Sequence, residues 1–397
     1  MTSLHSLRLK KGEDRRIRAG HPWVFSNEID VTATPLKAFM PGDIVIVEAQ
    51  DKTPLGVAYV NPHSLIAARL FSRDSAARLN LEFFLQRINE ALSLRSRLFK
   101  QPYYRLIFGE ADGLPGLVVD RFAQNLVVQI NTAGMEQKAE IVAEALCAAL
   151  PDTRSILLRN DSAVREQEGL SREVKPLVGT PPDEAQLEEN ETQFTFPLWK
   201  GQKTGWFYDH RMNRQRLKSY VNDLNVLDVF SYLGGWGVQA ARFGAKQVDC
   251  IESSQSACDF IMKNAEINQL SARVNVICED AFDALKKLRE QQRQYDVIVL
   301  DPPAFVKRLK DRKEGIIAYQ RLNEFALKLL VQGGVLISCS CSMHVSMEDL
   351  MQILQRAAFR TQTPLQILER GHQGPDHPIH LHIPETDYLK AIFARKI

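Results

Sequence analysis

From residue 225 onward, NVLDVF (225–230), QVDCIE (247–252), VNVICED (274–280), YDVIVLD (295–301) and GGVLISCS (333–340) recur as short apolar runs separated by segments with helical spacing. Apolar runs of this length, bounded by helices, are strands buried on both faces. Their alternation with helices predicts a parallel sheet covered on both sides. In such a sheet ligands bind at the carboxyl ends of the strands, near the point where strand order reverses. The residues directly after each run therefore matter most: Ser231 to Gly237, Glu252, Asp280, Asp301 to Pro303, and Ser340 to Ser342.

The rest of the chain has a different texture. At 397 residues it is long enough for two or three domains, and 45% hydrophobic with 25% charged residues is a soluble globular composition. No apolar run reaches the ~18 residues of a membrane span. The start, MTSLHSLRLKKGEDRR, lacks a signal peptide's apolar core, so the expectation is a cytoplasmic protein without membrane association. Residues 1–73 read as short strands and turns, with PGDIVIVEAQDKTPLGVAYV as a small-barrel hairpin turning at Lys52–Pro54. LEFFLQRINEALSLRSRLF has helical spacing at Phe84, Ile88 and Leu92; GEADGLPGLVVDRF is a turn feeding a strand, with LVVQI (126–130) as hairpin partner, and a helix-like stretch spans 135–149. The Pro-rich, acidic GTPPDEAQLEENE (179–191) reads as a loop or boundary. The expected domains are 1–73, 74–194 and 195–397.

The formal net charge of +2 hides three basic clusters: six Lys/Arg against two acids over 1–20, six against one over 200–218, and five against two over 307–314. Such clusters are solvated surface or phosphate contacts, and three of them beside the motifs below point toward nucleic acid.

The first strand leads into DVFSYLGGWGVQAA (228–241), where Gly234, Gly235 and Gly237 allow close backbone approach to a ligand before a helix. The dinucleotide fingerprint G-x-G-x-x-G is absent. Glu252 lies where an acid grips ribose hydroxyls, and Asp280 could accept from an adenine amine. Glycines with two acids and no pyrophosphate cradle suit S-adenosylmethionine better than NAD. Asp301-Pro302-Pro303 is an extended turn without backbone donors that fixes Asp301 at the rim of the sheet. The same DPP occurs in amine methyltransferases, where the acid and a backbone carbonyl hold an exocyclic nitrogen.

Six cysteines are scattered through the chain, and for Cys147, Cys250, Cys258 and Cys278 buried packing is the default. Cys339 and Cys341, in SCSCS (338–342), need another account. A metal site from Cys339, Cys341 and His344 lacks a fourth ligand, since His372, His377, His380 and His382 are distant in sequence, and the spacing is not a redox C-x-x-C. Cys339 fits inert packing, with strand alternation expected to point it away from Cys341. Carbon 5 of a pyrimidine is a poor nucleophile until a thiolate adds at carbon 6, and an acid near ring nitrogen 3 then stabilises the charge created. Cys341 is the expected nucleophile and Asp301 the expected acid, with no metal.

HPWVFSNEI (21–29), GEADGLPGLVVDRF, KTGWFYDHR (203–211), DVFSYLGGWG, DPPAF and SCS (340–342) occur in the order found in bacterial 23S rRNA (cytosine-5)-methyltransferases of the RlmI type, which the whole chain resembles. The resemblance implies an α/β fold: a C-terminal Rossmann-like class I methyltransferase, an N-terminal PUA β-barrel and a small central α/β domain. It implies S-adenosylmethionine held by Phe207, Arg211, Asp228, Phe230, Ser231, Tyr232, Gly234, Gly235, Gly237, Glu252 and Asp280, with Cys341 and Asp301 catalytic. It places His210 where glutamine is common in the family. The implied partner is 23S rRNA, with a homodimer as the assembly left open. The alternative activity is amine methylation of guanine or adenine in RNA through DPP alone. An RNA-binding module with a decayed domain is disfavoured by the intact glycine loop and both acids.

Overall fold

The computed structural model describes residues 4–397. Near the N-terminus, β1 (His5–Arg8), β2 (Trp23–Phe25), β3 (Ile44–Glu48), β4 (Pro54–Val60) and β5 (Ile66–Ser72) form a five-stranded sheet in the order β1-β3-β4-β5-β2. The β3/β4 hairpin is the one its alternation predicts: Ile44 pairs with Tyr59, and the turn places Lys52 at φ 69°. Leu7, Val24, Val45 and Val47 fill the core.

A second sheet follows, of β6 (Tyr103–Phe108), β7 (Leu117–Phe122), β8 (Asn125–Ile130), β9 (Ser155–Asn160) and β10 (Glu173–Val178), in the order β10-β9-β8-β7-β6. The helices Leu81–Leu98 and Ala139–Ala149 cover it, the first capped by Asn80, whose side-chain oxygen accepts from the Phe83 N–H at 3.0 Å. The two sheets share one core. Val57, Tyr59 and Phe71 of the first pack with Phe84, Ile88, Leu106 and Leu114 around the second. Polar contacts lock the same seam: Tyr59 Oη donates to the Pro115 carbonyl (2.6 Å), Trp23 Nε1 to Glu110 (2.9 Å), and Arg69 pairs with buried Glu168 (2.8 Å).

The acidic segment expected as loop is half strand. β11 (Glu184–Glu189) and β12 (Thr192–Pro197) form a hairpin whose turn residues Asn190 and Glu191 have φ of 51° and 62°. Its acidic composition masks a period of two, in which Ala185, Leu187 and Glu189 point inward.

The remaining strands are β13 (Asn225–Val229), β14 (Gln247–Glu252), β15 (Val274–Cys278), β16 (Tyr295–Leu300), β17 (Leu330–Ser340), β18 (Leu365–Gly371) and β19 (Lys390–Lys396). They form one sheet in the order β15-β14-β13-β16-β17-β19-β18, parallel except for β19. Each of the five apolar runs is a strand. Strand order reverses between β13 and β16, which places the carboxyl ends of β13, β14, β16 and β17 around the switch point. Cys250 and Cys258 are buried as expected, but Cys278 is exposed because β15 is the edge strand.

By contacts the chain divides into two compact units: Met1–Ala185 with Pro197–Trp206 and Pro375–Thr386, and Gln186–Phe196 with Phe207–Gly374 and Asp387–Ile397. No helix is long and apolar enough to cross a membrane.

Candidate active site

The loop after β13 is strained in a regular way. Phe230, Tyr232 and Gly234 all adopt left-handed φ, at 67°, 51° and 82°. For bulky side chains this conformation persists only where the surroundings over-determine it. Here they do: the Phe230 and Ser231 N–H groups both donate to the Ile251 carbonyl (3.0 Å each), and Ser231 Oγ donates to the Asp228 carbonyl (2.9 Å). Glu252 completes the brace. One carboxylate oxygen accepts from Tyr232 N–H (3.0 Å) and the other from Ser253 and Ser254 N–H (2.9 Å each).

Gly234, Gly235 and Gly237 are buried in this loop. A β-carbon at Gly237 would collide with Cys250 and crowd the Asp228 carboxylate at 3.1 Å. Asp228 lies beneath the loop rather than on it: fully buried, it accepts from Gly237 N–H at 2.8 Å, and its other oxygen has no partner among the described residues. Burial pushes its carboxyl up to about 7. Asp280 is exposed and caps the helix Ala281–Glu290, accepting from Phe282 N–H at 2.9 Å. The Phe207 ring meets Tyr232 edge-on, with centroids 5.4 Å apart. Arg211 is turned inward, 3.5 Å from buried Glu189 and over the Tyr208 ring.

Asp301 is gripped from both sides. Trp236 Nε1 donates to Oδ2 at 2.9 Å, and His210 Nε2 lies 3.1 Å from Oδ1, a close approach without the alignment of a full hydrogen bond. Burial raises this carboxyl, but His210 and Trp236 outweigh it and hold Asp301 below the ordinary carboxylate value. The orientation of the His210 ring follows from its other neighbour. Asn213 Oδ1 accepts from Arg216 (2.7 Å), so its NH2 is the end that faces the His372 carbonyl (3.1 Å) and His210 Nδ1 (3.2 Å). An amide NH2 only donates, so Nδ1 is the acceptor of this pair and Nε2 is the nitrogen turned toward Asp301.

The serines of SCSCS are structural. Tyr319 Oη bonds both Ser340 Oγ (3.0 Å) and Ser342 Oγ (2.9 Å), and Ser342 Oγ also accepts from Val306 N–H (3.2 Å) on the loop after Asp301-Pro302-Pro303. The two motifs are thereby tied together. Cys341, partly exposed, directs its thiol at the Pro302 carbonyl, 3.9 Å away. Lys390 Nζ donates to the Ser342 carbonyl (2.7 Å); burial brings its amine down to about 8, opposed by Cys341.

Cys339 does not point away, as expected from alternation. Residues two apart on a strand share a face, and Cys339 Sγ lies with His210 and Asp301 in a group whose ligand-capable atoms are all within 4.8 Å of one another. It is fully buried, and burial pushes its thiol well above the usual value. His344 is not part of this group. Sequence reading missed His210, Trp236, Tyr319 and Lys390 as neighbours of the motifs. It also missed buried Glu189, which binds Arg214 through both oxygens (2.6 and 3.0 Å). Only the alternation in 184–189 signalled Glu189.

The comparisons with known proteins fit this geometry. Residues 7–73 match the model of a PUA-like domain, and residues 141–395 that of an S-adenosylmethionine-dependent methyltransferase. Over 393 residues the chain is 37% identical to the ribosomal RNA large subunit methyltransferase I of Aeromonas salmonicida, covering 98% of each. It is 35% identical to the protein of that name from Aliivibrio fischeri, covering 99% of each. The chain belongs to the ribosomal RNA large subunit methyltransferase I family. It is thus an RNA methyltransferase, and its cofactor is S-adenosylmethionine. A protein assigned as a SAM-dependent methyltransferase from Streptococcus mutans shares the fold at 19% identity (TM-score 0.83, 99% of this chain and 100% of that one). So does a methyltransferase complexed with SAH (TM-score 0.84, 19% identity, the same coverage). The α/β architecture expected from the apolar runs is borne out.

The residues at the rim fit the cofactor. Glu252, at the end of β14 beside the braced loop after β13, and Asp280, after β15, are carboxylate acceptors suited to ribose hydroxyls and an amine.

Proposed function

We propose that this chain methylates carbon 5 of a cytidine in large-subunit (23S) rRNA, with Cys341 forming a covalent adduct to the base. The observation that carries this reading is the meeting of the two motifs: the partly exposed Cys341 thiol faces the Pro302 carbonyl, next to Asp301, and Tyr319 and Ser342 tie the two loops together. S-adenosylmethionine supplies an electrophilic methyl group, held by the loop 230–237, Glu252 and Asp280.

The protein's own side chains do the rest. Cys341 as thiolate adds to carbon 6, and the electron pair moves onto the ring so that carbon 5 becomes nucleophilic. After methylation a base removes the carbon 5 proton and the thiolate leaves. The Lys390 amine beside this turn favours the thiolate electrostatically. Held ionised, Asp301 does not donate to ring nitrogen 3 as the sequence reading expected; it accepts from the exocyclic amine of cytosine instead and opposes the carbonyl that uracil has there. Of the two cysteines, burial leaves Cys339 a poor thiolate, which supports Cys341 in the role.

The test uses the full chain, large-subunit rRNA and tritiated cofactor. Cys341→Ala should lose methyl transfer and keep cofactor affinity, while Cys339→Ser keeps most activity. A 5-fluorocytidine substrate should trap wild type, but not Cys341→Ala, as a covalent complex. Full activity in Cys341→Ala would overturn the adduct. It would favour amine methylation, for which Asp301 and the Pro302 carbonyl suffice.

A further inference from the structure

Each of the three basic clusters of the sequence is partly paired in the structure. In the first, Arg8 pairs with Glu48 (3.3 Å), Arg16 with Glu28 (2.7 Å) and Arg18 with Asp14 (2.5 Å). In the second, Arg211 and Arg214 turn inward to Glu189, and Arg216 pairs with Glu369 (3.0 Å). The third is paired only in part: Arg308 binds Asp311 (2.9 Å) and Arg312 binds Asp349 (2.6 Å). Lys310 and Lys313 are exposed and form no ion pair among the described residues, the adjacent Asp311 being held by Arg308, and neither does Arg356 on the helix Met347–Thr361.

These three cations line one groove of about 540 Å³ between the helices Arg312–Leu329 and Met347–Thr361. Its one acid, Asp349, is already engaged by Arg312 (2.6 Å) and by the Ser346 N–H (3.0 Å). Leu309 and Ile317 supply apolar surface in the same groove, 69% and 49% exposed. The location is informative. One helix follows Asp301-Pro302-Pro303 and the other follows Cys341. In strand–helix units the helix N-terminus returns at the carboxyl end of the strand, so the groove opens on the reactive rim of the sheet.

We propose that this groove is the substrate-RNA track of the methyltransferase unit: Lys310, Lys313 and Arg356 neutralise phosphates of the single strand flanking the target base, and Leu309 and Ile317 pack against its sugars and bases. This rests on the RNA-methylation reading. Phosphate recognition needs unneutralised cations in a concave surface, and apolar contact beside them suits the alternation of phosphate and base along a single strand.

The test is a salt titration of binding between the full-length protein and a mixed-sequence single-stranded RNA oligonucleotide. A Lys310→Ala/Lys313→Ala/Arg356→Ala variant should bind on the order of 100-fold more weakly at 0.1 M salt, and its log–log salt slope should be shallower by about 2, at ~0.7 per phosphate. Lys246→Ala/Lys286→Ala/Arg289→Ala removes the same charge from exposed positions elsewhere in the unit and should leave the slope unchanged. Cofactor affinity, read by calorimetry, checks that each variant is folded; if the triple variant fails that check, Lys310→Ala/Arg356→Ala should still flatten the slope by about 1.4. Wild-type slope and affinity in the groove variants would overturn the track and leave the methylation reading standing. Equal losses in both triple variants would reduce the groove to net charge. A wild type without RNA affinity would sink both.

Discussion

At the residue scale, what surrounds a group decides what it can do. His210 stands where the family commonly has glutamine, and both side chains can donate an N–H to Asp301. His210→Gln should therefore retain most activity. His210→Ala should lower kcat by up to about 10-fold, the low end for a hydrogen bond to a charged group, because the approach to Asp301 is not fully aligned. The acid limb of its pH–rate profile should also move to higher pH, because Asp301 loses a neighbour that holds its carboxyl down. Equal rates and profiles for His210→Ala and wild type would show the contact to be idle. Asp228 makes the opposite case. Its carboxyl is raised from 3.8 to about 7, so between those values the folded state binds more protons than the unfolded one. Its contribution to stability is fullest below the unfolded value and falls as pH rises through 7, by roughly 1.4 kcal/mol per pH unit at most. Asp228→Asn should remove this slope, visible as a smaller drop in unfolding midpoint between pH 5 and about 8. Parallel curves for the two proteins would refute the assignment.

At the element scale, SCSCS is legible only in part. Its apolar lead-in predicts a buried strand and its position predicts a reactive end, and both follow from local pattern. That Tyr319, on a helix a strand away, bonds both serines and so sets the cysteine against the DPP turn is a long-range fact. Tyr319→Phe removes both bonds and leaves the ring in place. It should lower stability by about 1–2 kcal/mol and kcat by on the order of ten-fold, with cofactor affinity unchanged. The measurement is calorimetric cofactor binding alongside steady-state transfer; an unchanged kcat would show that the loop holds Cys341 without the tyrosine.

At the scale of the whole molecule, the N-terminal sheet is not an appendage. Val57, Tyr59 and Phe71 lie in one core with the helix Leu81–Leu98 and β6, so deleting residues 1–73 would strip that core as well as any RNA contact. Tyr59→Ala should cost about 3–5 kcal/mol and Tyr59→Phe, which loses only the bond to the Pro115 carbonyl, about 1 kcal/mol. In limited proteolysis of Tyr59→Ala, sites on both sheets should open together. Cleavage confined to residues before 74 would show that the two sheets unfold independently.

By itself the sequence determined the parallel sheet, the strand ends around its switch point and the cofactor class, and it singled out Asp301 and Cys341 as candidates. Each is written in local periodicity or in a motif at a strand's end, where a few neighbouring residues carry the signal. Only the tertiary structure decided which charges are available. Arg211, Arg214 and Glu189 look like surface residues in composition but are buried against one another, whereas Lys310, Lys313 and Arg356 remain exposed. It also decided that Cys339 lies beside Asp301 and that His210 turns Nε2 toward the same carboxylate. The physical reason is common to all of these. Ionisation, orientation and availability depend on burial and on partners distant in sequence, and no local pattern records which partner the fold will bring.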